Sequence, residues 1–278
     1  MNRGPESPSL VVDWRLLREA FLVWLDSREL AEDYKRSIIS YLDRFVSVVS
    51  SPLDVARLFE GLSVGQRHCL LYSLRNLLNY CELMGFEPAF IDGLRKALPK
   101  DSVMVDFYVP DEESVKQSIC RLRCIPEKYK AVYRLLLESG LRLREAVKLT
   151  NEFHEFSGKM ENHEKYVCIP LFWIRRSKKS FYAYFMHETA KQLRNNGEKL
   201  SAEAVSKVCR RVGLVAPKYV RKFVYTKMLE LGIPESVADF IQGRTPKSVG
   251  ARHYANLKHL VDKYYPKYAN YLVKIKEI

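Results

Sequence analysis

The chain has 278 residues, 47% of them hydrophobic, and carries 46 Lys and Arg against 33 Asp and Glu, a formal charge of +13. That apolar content excludes a disordered chain and gives enough surface to bury for one large or two ordinary domains. No apolar run approaches the roughly 20 residues of a bilayer-spanning helix, and the first ten residues lack the apolar stretch of a signal peptide, so neither a membrane protein nor an exported one is expected.

Residues 1–11 read as a disordered start. From 12 to 98 the periodicity predicts helices throughout. Trp14, Leu17, Phe21, Leu22 and Leu25 share one face of a first helix, and Tyr34, Ile38, Tyr41, Leu42, Phe45 and Val48 share one face of a second. After Ser51-Pro52 a short helix is expected over 53–60, then a long one over 64–84 closed by Gly85. Four or five helices in about 90 residues make a compact bundle domain, 12–98. Pro99, Pro110 and the charged residues between them mark 99–111 as a linker. A second domain, 112–278, opens with helices at 113–123, 127–139 and 143–149, interrupted by Gly140. The stretch with His154 and His163 among Glu152, Glu155, Glu161 and Glu164 reads as a solvated acidic loop in preference to a metal site. Residues 166–185 are rich in β-formers around the polar run 175–180, which predicts a hairpin with its turn there. Helices follow at 202–212, 220–231, 235–242 and 249–254, with a basic terminal helix from about Leu257. The fold class is mainly α with one small sheet.

The charge is uneven. Residues 1–100 hold 13 basic and 13 acidic residues, so the whole excess lies beyond them, and 201–278 alone holds 15 basic against 6 acidic. An excess so placed suggests a polyanionic partner, most simply nucleic acid. A basic surface on a thermally adapted protein is the plain alternative, and the four glutamines among many Lys, Glu and Arg fit it. The six cysteines are scattered with no CxxC pair, which points to reduced intracellular thiols. HExxH, GxxxxGK[ST] and GxGxxG are absent, and neither a metal nor another cofactor is expected.

The sharper signal is the run 138–149, Glu-Ser-Gly-Leu-Arg-Leu-Arg-Glu-Ala-Val-Lys-Leu. Arg142 stands two residues after a glycine at a helix break, where it can be aimed into a cleft, and Glu145 one turn on can orient it. Further along come Lys218-Tyr-Val-Arg221, then Gly243-Arg244, then Tyr254 in Gly-Ala-Arg-His-Tyr-Ala-Asn. In this order and spacing the chain resembles the tyrosine recombinases of the lambda-integrase family, and within it the integrases of archaeal viruses and plasmids and the Xer-like recombinases. Residues 139–145 match the first box, with Arg142 as its arginine. Lys218-x-x-Arg221 matches the second box with lysine in place of the usual histidine. Arg244 takes the place of a third basic or aromatic residue, and Tyr254, ten residues later, that of the nucleophile. The family's hairpin lysine corresponds to Lys178 or Lys179, and the residues leave that choice open.

The resemblance implies a helical core-binding domain, a linker and a catalytic domain. It also implies a site-specific recombinase that cuts and rejoins DNA strands through a 3′-phosphotyrosine. The phosphodiester bonds are conserved in number, so ATP and metal are not required, and positioning and charge must do the work. Arg142, Arg221 and Arg244 would hold the scissile phosphate, since guanidinium forks match its geometry. Lys178 or Lys179 would protonate the leaving 5′ oxygen, Tyr254 would attack, and Lys218 would assist as base or donor. His253, on the far side of its helix from Tyr254, is given a structural role. The implied partners are double-stranded DNA attachment sites and, on DNA, three further copies of the chain in a tetramer. The implied compartment is the cytoplasm, at the nucleoid. The terminal helix, with Leu260, Val261, Tyr264, Tyr265, Tyr268, Tyr271, Leu272 and Ile275, suits docking on a neighbouring protomer or on its own core. Two rival readings stand beside this one: a type IB topoisomerase-like relaxing enzyme, and a non-catalytic DNA-binding accessory protein. With no net charge, the first hundred residues are expected to contribute shape and base contacts more than salt-sensitive affinity.

Overall fold

The computed structural model describes residues 10–101, 106–175, 178–194, 197–244 and 256–276. The chain separates into two compact units, Met1–Asp106 and Phe107–Ile278, dividing inside the stretch read as a linker. The expected disordered start falls mostly on residues 1–9, and the expected helix 249–254 falls wholly, outside the described residues.

The first unit holds α1 (Trp14–Asp26), α2 (Glu32–Phe45), α3 (Pro52–Arg57), α4 (Val64–Leu83) and α5 (Pro88–Lys96). Start signals are local. Asp13, Ser51 and Ser63 cap α1, α3 and α4 through their side chains, and Ser63 with Gln66 forms a reciprocal capping box. Phe21, Leu25, Ile38, Leu42, Leu70, Leu74 and Leu77 close the core. The expectation of helix throughout is corrected at one point: β1 (Val12–Asp13) pairs antiparallel with β2 (Val48–Val49). Val48 is three residues beyond Phe45 and so mimics the helical period, but α2 stops at Phe45, and Val48 is exposed while Val49 is buried.

The second unit begins with α6 (Glu112–Arg121), capped by Asp111 and followed by a 3-10 turn, Leu122–Cys124. Next come α7 (Glu127–Ser139), α8 (Leu143–Asn151) and a short α9 (Phe153–Ser157). The three-stranded sheet has the order β3-β4-β5, with β3 (Glu161–Asn162), β4 (Tyr166–Arg175) and β5 (Lys178–Met186) all antiparallel. Then follow α10 (His187–Arg194), α11 (Ala202–Val212), α12 (Pro217–Glu230), α13 (Glu235–Ile241) and α14 (Leu257–Lys276). Three expectations change here. The acidic stretch contains α9 and β3 and is not simply a loop. The hairpin turn is tighter than 175–180, because Arg175 already pairs with Lys178 and both Lys178 and Lys179 lie on the strand. Helix α10, too polar to show an apolar stripe, was not anticipated.

The core of this unit surrounds α7, which is buried along Leu135–Ser139. Its C-terminal carbonyls lack intrahelical donors. The Tyr268 hydroxyl donates to the Leu137 carbonyl at 2.7 Å, and the Tyr265 hydroxyl to the Glu138 carbonyl at 2.9 Å. Both tyrosines are fully buried, with Val261, Ala269, Leu272 and Ile275 beside them in the same core. Helix α14 is therefore docked on its own chain. The buried Glu138 carboxylate in turn accepts from the Met186 N–H and the Thr189 hydroxyl, tying α7 to the start of α10. Among the described residues no helix is long and apolar enough to cross a membrane.

Candidate active site

The site grows from the end of α7. Gly140 turns the chain with φ +62°, a left-handed value that favours glycine, and its N–H closes the helix on the Leu136 carbonyl. Arg142 is then extended backbone at the head of α8, where its N–H donates to Glu145 Oε2 at 3.0 Å. The same carboxylate takes the guanidinium, Arg142 Nη1 to Glu145 Oε1 at 2.8 Å, so one acidic side chain caps the helix and aims the arginine. Arg142 Nη1 also donates to the Lys179 carbonyl at 3.2 Å, which joins the first box to the hairpin.

Arg221 projects from α12. One terminal nitrogen donates to the Gly140 carbonyl, and the other to the Gln242 carbonyl at 2.6 Å. Burial, together with the neighbouring Arg142 and Arg244 charges, pushes its guanidinium down to about 9, which leaves it cationic at neutral pH. Three guanidiniums share this region, and two carboxylates stand behind them: Glu145, and Asp239 at 3.7 Å from Arg244 Nη1. Arg244 also stacks over Tyr225 at 4.4 Å, and its N–H donates to the Asp239 carbonyl.

Gly243 is required by contact as well as by its φ of +63°. A Cβ there would stand 2.1 Å from the Lys179 carbonyl oxygen, so this turn rests directly on β5. The Lys179 backbone thus meets Arg142 and Gly243 together, fixing the start of β5 against both arginine boxes.

These elements wall two adjoining cavities. One, about 710 Å³, is lined by Arg142, Lys218, Arg221 and Arg244, with Lys222 and Arg210 at its sides. The other, about 1190 Å³, has Arg142 and Lys178 with Arg144, Lys148, Lys207 and Arg210, and an aromatic edge from Phe172 and Trp173. Arg142, Leu143, Ser206 and Arg210 belong to both. The structure therefore brings Arg142, Lys178, Lys218, Arg221 and Arg244 to one continuous concave surface, with Glu145 on it. Lys179 contributes its backbone, and its side chain leaves the strand opposite to that of Lys178. Tyr254 and His253 lie outside the described residues. The Lys218 ammonium sits over the Tyr219 ring at 4.6 Å.

Sequence reasoning missed Gln242, whose contacts are tertiary, and the α11 cations Lys207 and Arg210. The α11 pair were legible as a basic helix face, but nothing in the chain order tied that face to Arg142.

Residues 107–271, more than half of the chain, match the family model of archaeal phage integrases. Comparison with curated proteins gives no match. Among solved structures, the chain is similar to a lambda integrase dimer bound to a COC′ core site (TM-score 0.65, 14% identity, 87% of this chain and 77% of that one). It is similarly close to a lambda integrase tetramer bound to a Holliday junction (TM-score 0.63, 11% identity, 86% and 79%). At such identities these two likenesses speak for the fold. From the family match, with this fold beneath it, the chain belongs to the archaeal phage integrases, site-specific tyrosine recombinases of the lambda-integrase family that break and rejoin DNA.

Proposed function

We propose that this integrase cleaves one strand of a double-stranded DNA attachment site through a 3′-phosphotyrosine at Tyr254 and acts as a tetramer on two duplexes. The convergence of Arg142, Lys218, Arg221 and Arg244 on one cavity, with Lys178 beside it, is the observation that carries this reading. A scissile phosphate in that cavity would have its non-bridging oxygens held by Arg142 and Arg221, with Arg244 as a further donor. The Tyr254 phenolic oxygen attacks phosphorus, and the bond from phosphorus to the 5′ oxygen breaks. Lys178 passes a proton to the departing 5′ oxygen, which leaves as a hydroxyl, and the phenol's own proton leaves through Lys218 or water. Of the two hairpin lysines we assign the acid to Lys178, because it lines the cavity with Arg142 while Lys179 turns away. Return attack by the partner duplex's 5′ hydroxyl reseals the strand and restores the phenol. Arg144, Lys148, Lys207 and Arg210 are placed to grip the flanking phosphates.

The test is a nicked suicide duplex carrying the attachment site. Wild-type protein should accumulate a covalent protein–DNA adduct. Tyr254→Phe should bind the same duplex with similar affinity and form none. An adduct formed by Tyr254→Phe would remove the assignment.

A further inference from the structure

Gln242 is fully buried between α13 and the Gly243 turn. Its Nε2 donates to the Arg221 carbonyl at 2.9 Å, and its main-chain carbonyl accepts from Arg221 Nη2 at 2.6 Å. One residue thus holds both ends of another, backbone and guanidinium. The other Arg221 nitrogen is fixed on the Gly140 carbonyl. The Gln242 amide also packs against Gly140, where a Cβ would stand 2.7 Å from its Nε2. The Arg221 carbonyl lies inside α12, where the helix already supplies an amide donor, so the glutamine contact adds to a satisfied group. Its Oε1 is buried with no hydrogen-bond partner among the described residues, a cost that packing alone would not retain.

From this geometry we infer that Gln242 is the positioning residue for Arg221. Its side-chain amide holds the Arg221 backbone while its main-chain carbonyl, with that of Gly140, takes the guanidinium fork, so that the remaining N–H groups face the cavity, in register with Arg142 and Arg244. A neutral amide suits the task. A carboxylate there could not donate to the Arg221 carbonyl, and an apolar side chain would leave the Arg221 backbone unheld, shifting the base from which the fork extends. The inference rests on the proposed role of this cavity in strand cleavage.

The experiment measures single-turnover adduct formation on the nicked duplex, with DNA affinity and melting curves alongside, in the full chain. Gln242→Met, similar in length and shape, should slow the adduct about 100-fold, the scale of an ångström-level misplacement, with affinity changed less than about twofold and the melting curve retained. Gln242→Glu, which keeps the size and fills the same space should methionine fail to fold, should slow it at least about 10-fold. Because lysine cannot span both carbonyls, Arg221→Lys removes the fork to be positioned. Adding Gln242→Met to it should then cost less than about threefold more. Wild-type rates in both Gln242 variants, or full multiplication of the two effects in the double variant, would overturn the inference and leave the cleavage reading intact. Failure of the wild-type protein to form any adduct would remove that reading, and the inference with it.

Discussion

At Gly243 the geometry makes its strongest single demand. The residue combines a left-handed φ with a carbonyl 2.1 Å from where a side chain would begin. Alanine there should lose more stability than the roughly 1–2 kcal/mol that a left-handed L-residue costs by itself, since β5 must also retreat. Retreat would carry the Lys179 carbonyl away from Arg142, so Gly243→Ala should lose adduct formation as well. Denaturant melts and the suicide duplex read the two effects in one variant. Much of this site was legible in the chain: Arg142 after a glycine, Lys218-x-x-Arg221, Arg244 after another glycine. The motif spacings survive because each box sits on one local element, a glycine turn for Arg142 and Arg244 and the start of α12 for Lys218 and Arg221. Gln242 was not legible, because its partners lie 21 and 102 positions upstream, at Arg221 and Gly140, and only folding makes them neighbours. The alternation that sets Lys178 and Lys179 on opposite sides of β5 was hidden because the strand begins three residues earlier than the polar run suggested.

Helices were read well where an apolar stripe met a cap or a glycine, as in α4, α7 and α11. They were missed where the helix is short and polar, as in α9 and α10, whose formation depends on packing and on the Glu138 carboxylate at the α10 start. A second carboxylate couples three helices. Glu112 of α6 meets Lys227 of α12 at 3.0 Å and Lys116 at 3.1 Å, and accepts from the Tyr271 hydroxyl of α14 at 3.1 Å. The Lys227 hydrogen bond foremost holds its carboxyl below the ordinary 4.5. The folded chain then binds fewer protons than the unfolded one, so this contribution is present at neutral pH and is lost as pH falls below about 4.5. Glu112→Gln should lower the denaturant midpoint at pH 7, and its gap from wild type should close as the medium is acidified. A constant gap across that range would show that the carboxylate's charge is not what ties the helices.

Over the whole molecule the charge divides as the fold does. Residues 1–106 carry 13 basic and 15 acidic side chains, leaving 33 basic and 18 acidic for residues 107–278. If the cavity beside Arg142 grips DNA phosphates, neutralising Arg144, Lys148, Lys207 or Arg210 to glutamine in the full chain should each lower the slope of log affinity against log salt by about 0.9. Equivalent changes at Arg67 and Arg75 of the first unit should leave the slope unmoved. Filter or fluorescence titrations at several salt concentrations decide between these outcomes. A slope that responds to the first unit instead would relocate the electrostatic grip.

The tyrosines of α14 carry one consequence for how the enzyme comes into being. Arg142, Arg221 and Tyr254 are all synthesised before residues 257–276, yet the helix end that presents Arg142 keeps bare carbonyls until Tyr265 and Tyr268 arrive. A nascent chain still on the ribosome holds its chemical groups without the platform that aligns them. If Tyr254 is the nucleophile, strand cleavage waits until this stretch has emerged and packed on the end of α7.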